Sequence, residues 1–197
     1  MNNFIDISKY SIVLASQSPR RQQLLKDMGF TFEVRISKDI DESFPENLKN
    51  QAIATYLSEL KFNAYQSELA NNELLITADT IVCIENEMLG KPRDRNHAIK
   101  MLQKLSNKSH FVYTGITVGT KDKKITAYDA SEVFFQPIST EEIEWYVDKY
   151  KPFDKAGSYG VQEWIGYVGI EKIVGSFYNV MGLPTQKLYS TLKQFAC

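Results

Sequence analysis

The chain has 197 residues, which is enough for one large domain or two small lobes with a sizeable core. Its 23 basic and 24 acidic side chains give a formal net charge of -1, so no overall basic field exists to hold nucleic acid, and any phosphate site must be local. The N-terminal residues lack the basic start and long apolar run of a signal peptide, and no apolar run approaches the ~18 residues of a membrane span. We therefore expect a cytoplasmic protein that binds neither nucleic acid nor a membrane.

The first half of the chain alternates between strand and helix signals. In order, these predict a strand at residues 12–15, a helix at 19–28, a strand at 32–36, a helix at 47–70, a strand at 74–84 and a helix at 95–105. The apolar character of residues 74–84 is nearly continuous, which is typical of a central strand covered on both faces.

The second half is also mixed. Its signals predict strands at residues 110–120 and 124–135, a helix at 140–149 opened by a capping box, strand-like segments at 167–174 and near 177, and a helix at 185–195. A glycine-marked run at residues 155–162 lies between the helix at 140–149 and these strand-like segments. This order predicts an α/β fold in which residues 1–197 form a single domain with two lobes.

The turn after the first strand has an unusual charge pattern. Arg20 and Arg21 lie in the first turn of a predicted helix, where the partial positive charge of the helix N-terminus disfavours cations. A bound polyanion would reverse this effect, because backbone N–H groups, the arginines and the hydroxyls of Ser16 and Ser18 could all face phosphate. A capped surface helix whose arginines reach solvent explains the segment equally well.

Two carboxylates are candidates for catalysis or metal binding. Asp79 interrupts the apolar strand at residues 74–84, and a buried carboxylate is costly unless it is paired, hydrogen-bonded or bound to a metal. Glu42 follows the second predicted strand and could join Asp79 in an oxygen-ligand site for Mg²⁺ or Mn²⁺. The alternatives are a strand-end Asp79 that caps a loop and a solvated acidic turn around Glu42.

Two lysines could add positive charge to such a site. Lys91 lies between a glycine and a proline and could contact phosphate, although an ordinary turn lysine is the alternative. Lys61 lies beside the apolar stripe of the second helix and could reach either solvent or a cleft. Arginines, lysines, carboxylates and paired serines together suit displacement at phosphorus, in which a carboxylate accepts a proton from water. The residues alone therefore predict a phosphate-ester or nucleotide enzyme.

Six short motifs, taken in order, resemble the Maf family of nucleoside triphosphate pyrophosphatases. They are Leu-Ala-Ser-Gln-Ser-Pro-Arg-Arg-Gln-Gln-Leu-Leu at 14–25, Asp-Glu at 41–42, Ala-Asp-Thr-Ile-Val at 78–82, Gly-Lys-Pro-Arg-Asp at 90–94, Asp-Lys-Ala-Gly-Ser-Tyr-Gly-Val-Gln at 154–162 and Val-Met-Gly-Leu-Pro at 180–184. Each motif is modest by itself, but six in the family's order give a specific signal that spans nearly the whole chain.

The resemblance implies an elongated, mixed-sheet fold similar to that of the inosine-triphosphate pyrophosphatases, with two lobes around a substrate cleft. It also implies a homodimer and metal-dependent hydrolysis of a nucleoside triphosphate to the monophosphate and pyrophosphate. By similarity, Asp79 would accept the proton of the attacking water and bind the metal with Glu42. The residues that would hold the phosphates, the ion or both are Ser16, Ser18, Arg21, Lys61 and Lys91.

Three further positions bear on the base that is bound. The branch of the family that acts on dTTP and UTP has Arg, Thr and Gln at positions that correspond to Arg20, Thr80 and Gln162, whereas the 7-methyl-GTP branch has Trp, Gln and Glu. We therefore expect a housecleaning enzyme for pyrimidine nucleotides. The alternatives are a nucleotide-binding regulator of cell division without turnover and a pyrophosphatase for modified purine nucleotides. One departure is Phe62, which follows Lys61 where the family usually has alanine, and whose ring could alter the local packing.

Overall fold

The computed structural model describes residues 5–36, 40–85 and 87–196. Within these residues the strands are β1 (Ser11–Leu14), β2 (Phe32–Val34), β3 (Glu73–Ile84), β4 (Glu87–Leu89), β5 (Ser109–Gly119), β6 (Lys124–Phe135) and β7 (Ile170–Val174). The helices are α1 (Pro19–Asp27), α2 (Gln51–Gln66), α3 (Arg95–Leu105), α4 (Thr140–Tyr150), α5 (Trp164–Gly169), α6 (Phe177–Met181) and α7 (Thr185–Leu192), with short 3-10 helices at Ala156–Ser158 and Lys193–Phe195. The predicted α/β class is confirmed.

The described strands form one mixed sheet in the order β2-β1-β3-β5-β6-β7, and β4 pairs with β3. Strand β1 runs parallel to both β2 and β3, so that Leu14 lies opposite Val34 on one side and Ile76 on the other. Strands β4 and β7 run antiparallel to β3 and β6. Nearly every residue of β3 is buried, which confirms the prediction of a central strand at residues 74–84.

The chain divides into two compact units, as the two-lobe prediction anticipates. The first comprises the described parts of residues 1–79, 114–129 and 182–197, and the second those of residues 80–113 and 130–181. A core cluster of the first unit joins α2 to β1 and β3 through Val13, Ala15, Phe62, Tyr65, Leu69 and Leu75. The larger cluster of the second unit is built around α3 and α4, with Leu102, Leu105, Ile143, Tyr146, Val147 and Ile165 at its centre. The single domain and the substrate cleft stay predictions.

One predicted strand begins too early, and one predicted strand segment is wrong. Residues 167–169 belong to α5, and β7 begins only at Ile170. Gly166 permits this helix, because a Cβ at that position would lie 1.8 Å from the carbonyl oxygen of Val161. The segment near residue 177 is helix α6, because Gly175 ends β7 at a φ of +126° and the hydroxyl of Ser176 then accepts the backbone N–H of Asn179. Local chain reversals therefore override the β-branched and aromatic composition of both segments.

Other boundaries differ at element ends. Helix α2 begins at Gln51 and not at residue 47, after Asn50 adopts a positive φ of 50°. The acidic segment around Glu42 spans residues 39–45, and its sequence predicts a loop. Position 39 lies outside the described residues, and residues 40–45 have no regular structure. In the described part of the chain, no helix combines the length and the apolar character that crossing a membrane requires.

Candidate active site

The turn between β1 and α1 is organised by the buried side chain of Ser16. Its Oγ accepts the backbone N–H of Ser18 at 3.2 Å, and its carbonyl oxygen accepts the side-chain amide of Gln22 at 3.1 Å. Ser18 occupies the N-cap position of α1, but its hydroxyl makes no capping hydrogen bond, and Pro19 follows as the first helical residue. The hydroxyl of Ser18 is therefore not used to cap the helix.

Arg21 ties this turn to two other segments of the first unit. Its Nε donates to the carbonyl oxygen of Gly182 at 2.7 Å, and one Nη donates to the carbonyl oxygen of Ala78 at 2.9 Å. The same Nη lies 3.5 Å from Oγ of Ser16. Burial lowers the pKa of the Arg21 guanidinium, and the negative charge of Asp79 opposes that shift. Arg21 thus sets the position of the turn beside Asp79, whereas Arg20 is half-buried on the same turn.

Lys61, Asp79 and Glu42 form an ion-paired cluster, which we call the Lys61 triplet. The Lys61 ammonium lies 2.5 Å from Oδ1 of Asp79 and 3.0 Å from Oε1 of Glu42. The side chains of Lys61 and Asp79 are 17% and 11% exposed, whereas that of Glu42 is 49% exposed. The triplet therefore has one solvent-facing side, at Glu42, through which a ligand can approach two carboxylates and a cation.

Strand and helix periodicity explain how the triplet is assembled. Asp79 lies in the interior of β3 and not at its end, so the strand-end alternative is excluded. Alternate residues of a strand share one face, and on this face Leu75 packs with α2 in the core of the first unit. Lys61 lies on α2, and the Cα–Cβ bonds of a helix tilt toward its N-terminus, which lets the long side chain reach along the helix to Asp79.

The departure at Phe62 does not disturb this contact. Its ring is fully buried and packs with Tyr65, Leu69 and Leu75 in the core of the first unit. Because consecutive helical residues point about 100° apart, Phe62 can fill the core while Lys61 reaches Asp79 and Glu42. The bulkier ring is therefore compatible with the predicted contacts of Lys61.

The donor set of the triplet fits Mg²⁺ or Mn²⁺. Glu42 and Asp79 both touch the same ammonium group, so their oxygens lie near each other. Mg²⁺ is commonly bound by one or two carboxylates, with waters and substrate phosphates as the remaining ligands. The described residues contain no group of three or more His, Cys, Asp or Glu side chains arranged for a metal. The protein can therefore offer two carboxylates to an ion whose other ligands come from water or from a bound phosphate.

The remaining predicted residues lie in the second unit. Lys91 is exposed just after β4, where the carbonyl oxygen of Gly90 accepts the backbone N–H of Gly157 at 3.1 Å. Thr80 is half-buried on β3. Gln162 follows the glycine-marked run, and its buried Oε1 has no hydrogen-bond partner among the described residues. A buried amide oxygen without a donor is costly, so Gln162 is suited to accept a hydrogen bond from a ligand.

Sequence reasoning missed a second ion-paired cluster, which we call the Lys155 triplet. The buried ammonium of Lys155 lies 2.7 Å from Asp154 and 3.2 Å from Glu163. Glu163 also accepts the hydroxyl of Tyr146, whose oxygen accepts the backbone N–H of Gly160 at 3.0 Å. Burial and the hydrogen bond to Glu163 raise the pKa of Tyr146. The signal that could have revealed the cluster is a lysine that directly follows Asp154 and precedes the small residues at 156–158, with a second carboxylate at Glu163.

The fold and the Lys61 triplet define an α/β protein with a partly open cluster of two carboxylates and a lysine. The family described as Maf-like protein matches residues 11–195, and the chain belongs to this family. A dTTP/UTP pyrophosphatase from Parabacteroides distasonis is 53% identical over 96% of this chain and 98% of its own length. Proteins of the same name from Bacteroides thetaiotaomicron and Flavobacterium psychrophilum are each 52% identical, over 96% and 90% of this chain and 98% and 91% of their own lengths.

Proposed function

We propose that this chain hydrolyses dTTP and UTP to the nucleoside monophosphate and pyrophosphate and so removes unwanted nucleotides. The observation that carries the proposal is the Lys61 triplet, in which a mostly buried aspartate is held by a lysine beside a second, solvent-facing carboxylate. The family and the names of relatives that are about half identical over nearly the full chain support the same activity.

Asp79 is the proposed proton acceptor for water that attacks the α-phosphorus. Its position in the middle of a buried strand fixes the carboxylate, and a fixed base within hydrogen-bond reach of water is the requirement for general-base catalysis. Lys61 holds Asp79 in place and brings positive charge to the position where negative charge develops on the phosphate.

Glu42 and Asp79 would hold a divalent cation, Mg²⁺ or Mn²⁺. Such an ion, when bound, neutralises the charge on the phosphates and on the leaving pyrophosphate. Ser16, Ser18, Arg21 and Lys61 would bind phosphate in the first unit, and Lys91 would contact phosphate from the segment after β4. Arg20, Thr80 and Gln162 would select a pyrimidine base, and the buried Oε1 of Gln162 is the acceptor best suited to that role.

We also propose that the protein acts in the cytoplasm as a homodimer. Exposed apolar side chains are frequent in one continuous stretch of the second unit, at Tyr167, Val168, Val174, Phe177 and Tyr178. Surfaces of this kind often mark protein contacts. Light scattering of the purified protein measures its oligomeric state.

The activity is tested with a panel of canonical and modified nucleoside triphosphates in the presence of Mg²⁺ or Mn²⁺, with pyrophosphate and monophosphate measured as products. We expect turnover of dTTP and UTP and a loss of at least about 100-fold in Asp79→Asn, because general-base catalysis commonly contributes that much. Asp148→Asn is the matched control, because this exposed carboxylate is ion-paired with Arg95, and its turnover should be unchanged.

The other outcomes overturn specific parts of the proposal. Turnover of purine nucleotides alone would contradict the assignment of Arg20, Thr80 and Gln162, while preserving the reaction. Tight binding without hydrolysis would favour the nucleotide-binding regulator. Near-normal turnover by Asp79→Asn would exclude the proposed base.

A further inference from the structure

We propose that Thr77 is a positioning residue, which sets the distance between β3 and α2 so that Asp79 and Lys61 meet. This inference rests on the proposed function of the Lys61 triplet. The hydroxyl of Thr77 donates to the backbone carbonyl oxygen of Ser58 at 2.7 Å, with the carbonyl oxygen of Thr117 at a longer 3.4 Å. Thr77 is fully buried, so its role is exerted through its neighbours.

The two partners of this hydrogen bond lie next to the two partners of the ion pair. Thr77 precedes Asp79 by two residues on β3 and therefore shares its face of the sheet. Ser58 precedes Lys61 by three residues on α2 and therefore lies on the adjoining turn of the same helix. The hydrogen bond from Thr77 to Ser58 therefore joins β3 to α2 at the residues that adjoin Asp79 on the strand and Lys61 on the helix.

A chain of hydroxyls, buried at Ser58 and Thr117 and half-buried at Thr126, extends this link to β5 and β6. Oγ of Ser58 lies 3.0 Å from Oγ1 of Thr117, which lies 3.1 Å from Oγ1 of Thr126. Ser58 donates its own proton to the carbonyl oxygen of Thr55 at 2.9 Å. Since each hydroxyl carries one proton, Thr117 donates to Ser58 and Thr126 donates to Thr117. The donors run in one direction, from the sheet into the helix.

A close backbone contact shows that the separation is set tightly. A Cβ added at Gly115 on β5 would lie 2.2 Å from the carbonyl oxygen of Ala54 on α2. The helix therefore already lies as near the sheet as the backbone allows at that point. The hydrogen bonds of Thr77 and Thr117 to Ser58 hold the next turn of α2 at a similar distance from the sheet.

Because of this arrangement, a small side-chain change at Thr77 should alter the contact between Lys61 and Asp79. Valine has the shape of threonine but no donor, so Thr77→Val would leave the carbonyl of Ser58 facing a methyl group in a fully buried position. A shift of α2 by a few tenths of an ångström to 1 Å would lengthen the contact between Lys61 and Asp79. Misplacement of a catalytic group by ~1 Å can cost about 100-fold in rate.

The experiment compares Thr77→Val with two other variants in steady-state kinetics and in urea denaturation. We expect Thr77→Val to lower kcat for dTTP by about 10- to 100-fold with KM changed less than about threefold, because binding of phosphate outside the triplet is retained. Thr77→Ser, which keeps the donor, should recover most of kcat. Thr126→Val is the matched control, because it removes a hydroxyl from the far end of the same chain, and its kcat should stay within about twofold of the wild-type value.

Each result decides the proposal. Normal kcat in Thr77→Val, or equal loss in Thr77→Val and Thr126→Val at equal stability, would overturn it while leaving the proposed function intact. If the unmodified protein turns over no nucleotide, the proposed function fails, and a crystal structure of Thr77→Val decides the positioning role. A distance from Lys61 Nζ to Asp79 Oδ1 beyond hydrogen-bond reach would support it, and an unchanged 2.5 Å would overturn it. Should Thr77→Val fail to fold, Thr77→Ala, which also removes the donor to the carbonyl oxygen of Ser58, takes its place in the comparison with Thr77→Ser.

Discussion

The Lys61 triplet and the Lys155 triplet contain the same groups, a lysine between two carboxylates, yet they differ in how the charges are satisfied. Around Lys155, the less exposed carboxylate, Glu163, also accepts the hydroxyl of Tyr146, which in turn accepts the backbone N–H of Gly160. Around Lys61, the less exposed carboxylate, Asp79, takes its hydrogen bond from the lysine. Each triplet also has a solvent-facing carboxylate, Glu42 at 49% and Asp154 at 56% exposed, so the difference lies in the hydrogen bonds of the less exposed one.

This difference separates a structural cluster from a reactive one. A buried ion pair whose remaining lone pairs are occupied by protein donors fixes a loop, and it has little capacity left for a ligand. A pair that keeps carboxylate oxygens available, beside a solvent-facing partner, can exchange its contacts for water, metal or phosphate. The sequence motif around Lys155 looks as functional as the motif around Asp79, and only the hydrogen bonds distinguish the two.

Replacing each lysine by methionine should give the largest difference between the two triplets. Lys61→Met should lower kcat for dTTP by at least about 100-fold, because electrostatic stabilisation of the transition state typically contributes that much per group. Lys155→Met should instead lower the free energy of unfolding by about 2–3 kcal/mol, because it leaves the mostly buried Glu163 without its cation. Steady-state kinetics and urea denaturation measure the two effects.

Lys124→Met is the control for the loss of a lysine charge. Lys124 is ion-paired with Glu59 at a partly exposed position, so its removal should change the unfolding free energy by less than about 1 kcal/mol and should leave kcat unchanged. If folded Lys155→Met lost as much activity as Lys61→Met, the distinction between a structural and a reactive triplet would be wrong.

Much of the fold could be predicted from the sequence where the signal is local and strong. Strand β6 was predicted with its observed ends, and the capping box at Ser139 and Glu142 opens α4 as expected. Asp94 likewise caps α3 by accepting the backbone N–H of His97. The failures at α5 and α6 have a different origin, because these short helices depend on the fit of Gly166 against the backbone of nearby Val161 and of Gly175 against Ser131 on β6.

The candidate site likewise has features that the sequence predicts and features that it does not. Residue type and motif order predicted Lys61, Asp79 and Glu42, and the structure brings these three together. The buried contacts could not be predicted, because the bond from Thr77 to Ser58 and the bonds of Arg21 to backbone carbonyls depend on how distant segments pack. The roles of the individual site residues stay predictions.

His110 extends the comparison because it is a buried ionisable side chain that has no ion-pair partner among the described residues. Its Nε2 lies 2.8 Å from the hydroxyl of Tyr159, and burial lowers its pKa from 6.5 to about 3. Between these two values the unfolded chain binds a proton that the folded chain does not, so stability falls as the pH drops. At pH 5 the loss should be about 2 kcal/mol, at 1.36 kcal/mol per pKa unit.

The variant His110→Gln isolates this contribution, because glutamine has no ionisable group. Urea denaturation at pH 7.5 and at pH 5 should show a smaller loss of stability in the variant than in the unmodified protein. The same loss in both would mean that other groups, and not His110, govern the acid sensitivity.

Tyr146→Phe gives the smallest expected effect and tests whether the hydroxyl is what satisfies the Lys155 triplet. The substitution keeps the buried ring but removes the donor to Glu163 and the acceptor of the Gly160 N–H. Lys155 still contacts Glu163, so the free energy of unfolding should fall by about 1.5 kcal/mol, because two hydrogen bonds are lost and each usually contributes ~0.5–1.5 kcal/mol net. Tyr150→Phe is the matched control, because its ring stacks on Tyr146 at 5.1 Å and its hydroxyl makes no hydrogen bond within the described residues. Equal stability of the two variants would show that Lys155 alone satisfies Glu163, and the proposed difference between the triplets would then rest on burial and not on hydrogen bonding.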